Sequence, residues 1–67
     1  MTVTTTKLVQ RIREEFEEVP GLQLTVDQGM RFWAIDAATC ECVLGRLHEM
    51  GFLVKTHDGR YRQRRMV

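Results

Sequence analysis

"TVDQGMRFWAIDAATCECVLGRLHEMG", residues 25–51, contains two helix starts and one helix stop. Thr25 is a good N-cap, because a hydroxyl there accepts from a free amide of the first turn. Asp27 follows where the helix dipole favours negative charge, and Gln28 stands three residues after the cap and completes a capping-box pattern. Val26, Met30 and Trp33 then draw one apolar stripe on a short helix. The chain must break around Ala34 and Ile35 if Asp36 is to cap a further helix, Ala37 to about Met50, with Cys40, Val43, Leu44 and Leu47 facing inward. Gly51 ends that helix, since glycine tolerates left-handed geometry.

Upstream, Leu8, Ile12, Phe16 and Val19 recur at spacings of four, four and three, which predicts a helix over Thr6 to Val19 with a charged opposite face. Pro20 and Gly21 stop it, and Leu22 and Leu24 alternate around Gln23 as in a very short strand. Residues 1–5 are expected to be disordered. Downstream, "FLVKT" (52–56) and "RYRQR" (60–64) flank Asp58-Gly59, a strong hairpin signal. A two-residue turn sets His57 opposite Arg60, Lys55 opposite Arg62 and Leu53 opposite Arg64. On the other side Thr56 meets Tyr61, Val54 meets Gln63 and Phe52 lies near Arg65. Lys55, Arg60, Arg62 and Arg64 then share one face, leaving Tyr61, Val54 and Phe52 for the core; a three-residue loop with a bulge would blur this segregation. The expected class is α+β, three helices with a small antiparallel sheet in the order α-β-α-α-β-β.

A chain of 67 residues makes one small domain, here residues 1–67, with no room for a large cleft. Its 43% hydrophobic and 28% charged residues describe an ordinary globular domain. No stretch approaches the roughly 18 apolar residues of a membrane span, and the N-terminus lacks the pattern of a secretory signal, so no membrane partner and a cytoplasmic location are expected. The formal net charge of +1 hides an asymmetry. Residues 1–50 hold five Lys/Arg against eight Asp/Glu, net −3, whereas residues 51–67 hold five against one, net +4. The C-terminal segment is therefore the part suited to a polyanion.

"LTVDQGMRFWAIDAATCECVLGRLHEMGFLVKTHDGRYRQ", residues 24–63, resembles the winged helix-turn-helix core of bacterial transcription regulators, small stand-alone bacterial proteins of this fold in particular. The resemblance spans about residues 22 to 64. It makes residues 25–50 the helix-turn-helix and residues 52–65 the wing hairpin, and it implies double-stranded DNA as the partner. In that family the third helix enters the major groove and the wing touches the DNA backbone or minor groove. Carried over by position, the groove-facing residues are Ala37, Ala38, Thr39, Glu41, Cys42 and Arg46. Lys55, Arg60, Arg62 and Arg64 belong to the wing, and Thr25 and Gln28 are placed to meet phosphates. Family members commonly carry Arg, Lys, Ser, Asn or Gln at the start of the reading helix. Ala37, Ala38 and Glu41 depart from that pattern, which shifts the expected affinity to the wing.

Each feature also has a plainer reading. The arginines either meet phosphates or protect an exposed edge strand by charge. Cys40 and Cys42 stand about 200° apart on a helix and cannot share a metal, so Cys40 is expected to pack as a small hydrophobe with Cys42 partly exposed. His48 and His57 have no ligand partners at suitable spacing, and neither a metal site nor a cofactor is expected. Trp33 is expected in the core, and Phe32 either packs against the first helix or, if exposed, is a candidate dimer contact. The run Glu14, Glu15, Glu17 and Glu18 is either a solvated face or a means of holding its helix away from DNA. With no nucleophile set, paired carboxylates or phosphate loop, no enzyme is expected. Two functions remain: a DNA-binding regulator or accessory factor, aided by a homodimer, and a winged-helix module that binds a protein partner.

Overall fold

Leu8, Ile12 and Phe16 do fall on one side of a helix, which runs Val3–Glu18 (α1). The structure, a computed structural model, describes residues 3–64, and side chains for residues 6–64. The helix thus begins three residues before the expected start, inside the segment expected to be disordered; residues 1 and 2 lie outside the described residues. It closes with Val19 donating to the Glu15 carbonyl at 3.1 Å. Pro20 and Gly21 then turn the chain, with Gly21 at φ 86°, where a Cβ would be strained. Gln23–Leu24 follow as β1.

The two caps behave as the residue types dictate. Thr25 Oγ1 accepts from the Gln28 amide at 3.1 Å, and Gln28 Oε1 accepts from the Thr25 amide at 2.9 Å, so the capping box opening Val26–Trp33 (α2) is complete. Ala34 adopts φ 54° and ψ 50° and donates to the Met30 carbonyl, ending α2 in a left-handed turn unusual for a residue with a Cβ. Asp36 then caps Ala37–Glu49 (α3), its Oδ1 accepting from the Thr39 amide at 2.8 Å. Gly29 is the contact point between these helices. A Cβ on it would stand 2.8 Å from Trp33 Cζ3 and 2.9 Å from Cys40 Sγ, so only glycine lets α2 approach α3 this closely.

The core holds Ile12 and Phe16 from α1, Leu24 from β1, Cys40, Val43, Leu44 and Leu47 from α3, and Leu53. The four inward residues expected on α3 are all fully buried. Trp33 is only half-buried; it leans on Phe16 with ring centroids 6.1 Å apart, and its buried indole N–H has no partner among the described residues.

Leu53–Lys55 (β2) and Tyr61–Gln63 (β3) form the hairpin, and β3 also pairs with β1, giving an antiparallel sheet in the order β1-β3-β2. Its register corrects the one expected. Leu53 pairs with Gln63, Val54 with Arg62 and Lys55 with Tyr61, so the loop holds three residues, His57, Asp58 and Gly59. Gly59 takes φ 84° and donates to the Thr56 carbonyl at 3.1 Å, while the Thr56 amide donates to the Arg60 carbonyl at 2.8 Å. Glycine in the left-handed third position is what such a bulged loop requires. The slip of one residue turns Leu53 inward and Val54 outward, the reverse of the expected facing. Burying Leu53 is worth about 1.5–3 kcal/mol, which favours this register. Phe52 and Tyr61 pack against the core as expected; the proposed proximity of Phe52 to Arg65 falls outside the described residues. Among the described residues no helix is long and apolar enough to cross a membrane.

Candidate functional site

Arg62 lies on β3 (Tyr61–Gln63), and Arg60 and Arg64 stand two positions to either side of it, the spacing that alternation along a strand puts on one face. Lys55 does not join them. Pairing directly with Tyr61, it belongs to the other face, where its Nζ lies 5.6 Å from the Tyr61 ring centroid. The arginine face instead takes Val54 and Gln23, which pair with Arg62 from either side. Because β3 is the central strand, the arginines are not the guard of an exposed sheet edge, and that plainer reading of them falls away.

Their environments differ. Arg60 is held by Asp58, with Nε 3.4 Å from Oδ2 in an exposed pair that salt would loosen. Asp58 stays ionised because a bond from the Thr56 hydroxyl, with Arg60 adding its charge, lowers its pKa below the usual value. Arg64 reaches back towards the end of α3, its Nη1 3.9 Å from where a Cβ on Gly51 would stand. There its charge meets the negative end of the helix dipole. Arg62 has no carboxylate partner among the described residues, and it stands between two shallow clefts. One is lined by Pro20, Gly21, Leu22, Gln23 and Gln63, the other by Val54, Lys55, Thr56 and His57.

On α3, Ala37, Ala38, Glu41, Cys42 and Arg46 are exposed and Thr39 is half-buried. The first turn offers small side chains and no cation, and its amides already meet a carboxylate. The Thr39 hydroxyl and amide both bond to Asp36 and hold its pKa below the usual value, so it is ionised at neutral pH. The capping box likewise occupies Thr25 Oγ1 and Gln28 Oε1, leaving Gln28 its amide nitrogen as a donor. Burial raises the pKa of Cys40, whose thiol donates to the Val26 carbonyl at 3.5 Å. No three His, Cys, Asp or Glu side chains among the described residues cluster well enough to hold a metal ion.

The predicted residues therefore form two groups. The hairpin meets α3 near its C-terminal end, where His48 stands edge-on to Tyr61 at 6.3 Å. Ala37 lies eleven residues earlier, about 16 Å along the axis at 1.5 Å per residue. Gln23 is the site residue that sequence reasoning missed: only the long-range pairing of β1 with β3 sets it beside Arg62, and a two-residue strand leaves no local trace of its partner. Arg31, exposed beside Asp27 and Gln28, is a further cation on α2.

The fold and site together define a small α+β domain of three helices and a three-stranded antiparallel sheet, with a row of arginines across its central strand. No protein-family model matches this chain, and no curated protein or solved structure matches it either.

Proposed function

We propose that the chain is a winged-helix module that binds double-stranded DNA, gripping the phosphate backbone with its hairpin as a small regulator or accessory factor. The observation that carries this reading is Arg62, a guanidinium on the central strand with no carboxylate partner among the described residues, with Arg60 and Arg64 two positions to either side of it and open clefts on both sides. Guanidinium groups match phosphate with a planar fork, and a row spaced about 7 Å apart, two residues of strand, is close to the spacing of phosphates along one DNA strand. The helix order and the α2–α3 turn support the winged-helix reading, with α3 in the place of the groove-facing helix. With Ala37, Ala38 and an ionised Asp36 at its start, α3 contributes close approach rather than hydrogen-bonded base reading, so binding is expected to depend little on sequence.

Anisotropy titrations of a generic labelled duplex against the full chain across a salt series test this reading. A log–log slope of about −2 to −3, the value for two to three phosphate contacts at −0.9 each, is the expected result. Equal, undetectable binding at every salt concentration would refute it. A second reading, a winged-helix module for a protein partner, is favoured by one observation: Phe32 is 57% exposed close to a cation-free start of α3. It becomes the better account if DNA does not bind.

A further inference from the structure

The acidic run on α1 belongs to a longer pattern. Lys7, Arg11, Glu14 and Glu18 are spaced four, three and four, which places them in one row directly opposite Ile12 and Phe16, and all four are exposed. The N-terminal half of the row is positive and the C-terminal half negative. This order does little for the helix that carries it: within the row only Arg11 and Glu14, three apart, are placed to attract. The macrodipole favours the reverse arrangement, and the like-charged pairs Lys7/Arg11 and Glu14/Glu18 each stand four apart, where like charges repel. Neither Lys7, Arg11 nor Glu18 makes an ion pair among the described residues.

What the row does satisfy is a copy of itself running the other way. In an antiparallel pair of α1 helices related by a two-fold axis, Lys7 comes opposite the copy's Glu18 and Arg11 opposite its Glu14, and symmetry repeats both contacts. Four complementary pairs form and no like charges meet. Apolar groups support the same arrangement. Beside Lys7 and Arg11 lies a groove lined also by Leu8, Trp33 and Ile35. Val19, 46% exposed, stands on that same flank at the other end of α1, so the two-fold carries the copy's Val19 towards the groove. We propose that the outer face of α1 is a self-association surface whose partner is a second copy of this chain, docked antiparallel.

The surface is small. One face of a 16-residue helix, about 24 Å long, with a groove at each end lies below the area of a standard stable interface, so the pair is weak and salt-sensitive. The inference goes beyond the DNA-binding reading and does not rest on it.

Charge exchange tests it on the full chain, read by sedimentation equilibrium at up to about 1 mM protein, a weak-affinity range. The native chain is expected to rise above its 7.9 kDa monomer mass at low salt and to return towards it, with association at least about tenfold weaker, at 0.5 M salt. Lys7→Glu/Arg11→Glu and Glu14→Lys/Glu18→Lys should each be monomeric and folded by circular dichroism, with a slightly lower Tm, since a row of one sign turns the Arg11/Glu14 attraction within the helix into a like-charge contact. Mixing the two variants makes all four pairs opposite again and should restore a heterodimer. A native chain that stays monomeric throughout, variants that associate like the native chain, or a mixture that stays monomeric would overturn the proposal. Should a variant lose its fold, the salt series on the native chain decides alone.

Discussion

Phe16→Ala is expected to remove most of the stability of this domain. Phe16 is the largest fully buried side chain, packed between α3 and the Trp33 ring, and its exposure is 1%. Truncating such a phenylalanine costs about 3–5 kcal/mol, the sum of lost transfer energy and an unfilled cavity. A chain of this length has a total stability of about 3–10 kcal/mol at 0.05–0.15 kcal/mol per residue. The variant should therefore lose its cooperative thermal transition by circular dichroism, or show it at a much lower temperature. Phe32→Ala is the matched control. Its side chain is exposed, its ring 5.6 Å from that of Trp33 in a T-shaped arrangement and outside the buried core, so its effect should stay within about 0.5 kcal/mol. Equal losses in the two variants would contradict the packing described.

The other large effect concerns binding. If the hairpin grips DNA as proposed, replacing both Arg60 and Arg62 with alanine should remove about two phosphate contacts, make the salt slope less negative by about 1.8 and weaken binding roughly 60-fold at 0.1 M salt. Arg62 should account for the larger part, because Arg60 must first leave Asp58. The fold should be unaffected: Arg60 is exposed, Arg62 half-buried, and neither belongs to the core. Parallel titrations of native and doubly substituted chains check this. An unchanged slope would mean that the hairpin does not hold the DNA, whatever the overall affinity.

The helical part of the fold was legible because its signals are local. A cap, its third residue and an apolar stripe lie within one or two turns of each other, so Thr25, Gln28 and Asp36 marked helix starts that the structure reproduces. Period 3.6 likewise picked out Ile12, Phe16, Cys40, Val43, Leu44 and Leu47 as core. The hairpin was legible only as a hairpin. Asp58-Gly59 fits both a two-residue turn and the last two positions of a three-residue loop, and the choice is made by a distant contact, the burial of Leu53 against the helices. The expected facings of Leu53, Val54 and Lys55 therefore changed, which moved Lys55 off the arginine face and brought Val54 onto it. The spacing of Arg60, Arg62 and Arg64 survived, because alternation along a single strand does not depend on its partner. What lay beyond local reading was the position of β3. Nothing between residues 58 and 65 shows that Gln23 and Leu24 close its second side, and this converts an apparent edge into the centre of the sheet.

The measurement that bears most directly on the proposed function is a titration of the ¹⁵N-labelled chain with a short DNA duplex at low salt, followed residue by residue. A hairpin that grips DNA should give progressive shifts at the amides of Thr56 to Gln63 and at the start of α3, together with Gln23 beside Arg62, while the outer face of α1 stays unperturbed. Shifts confined to Phe32 and α1, or none at saturating DNA, would contradict it.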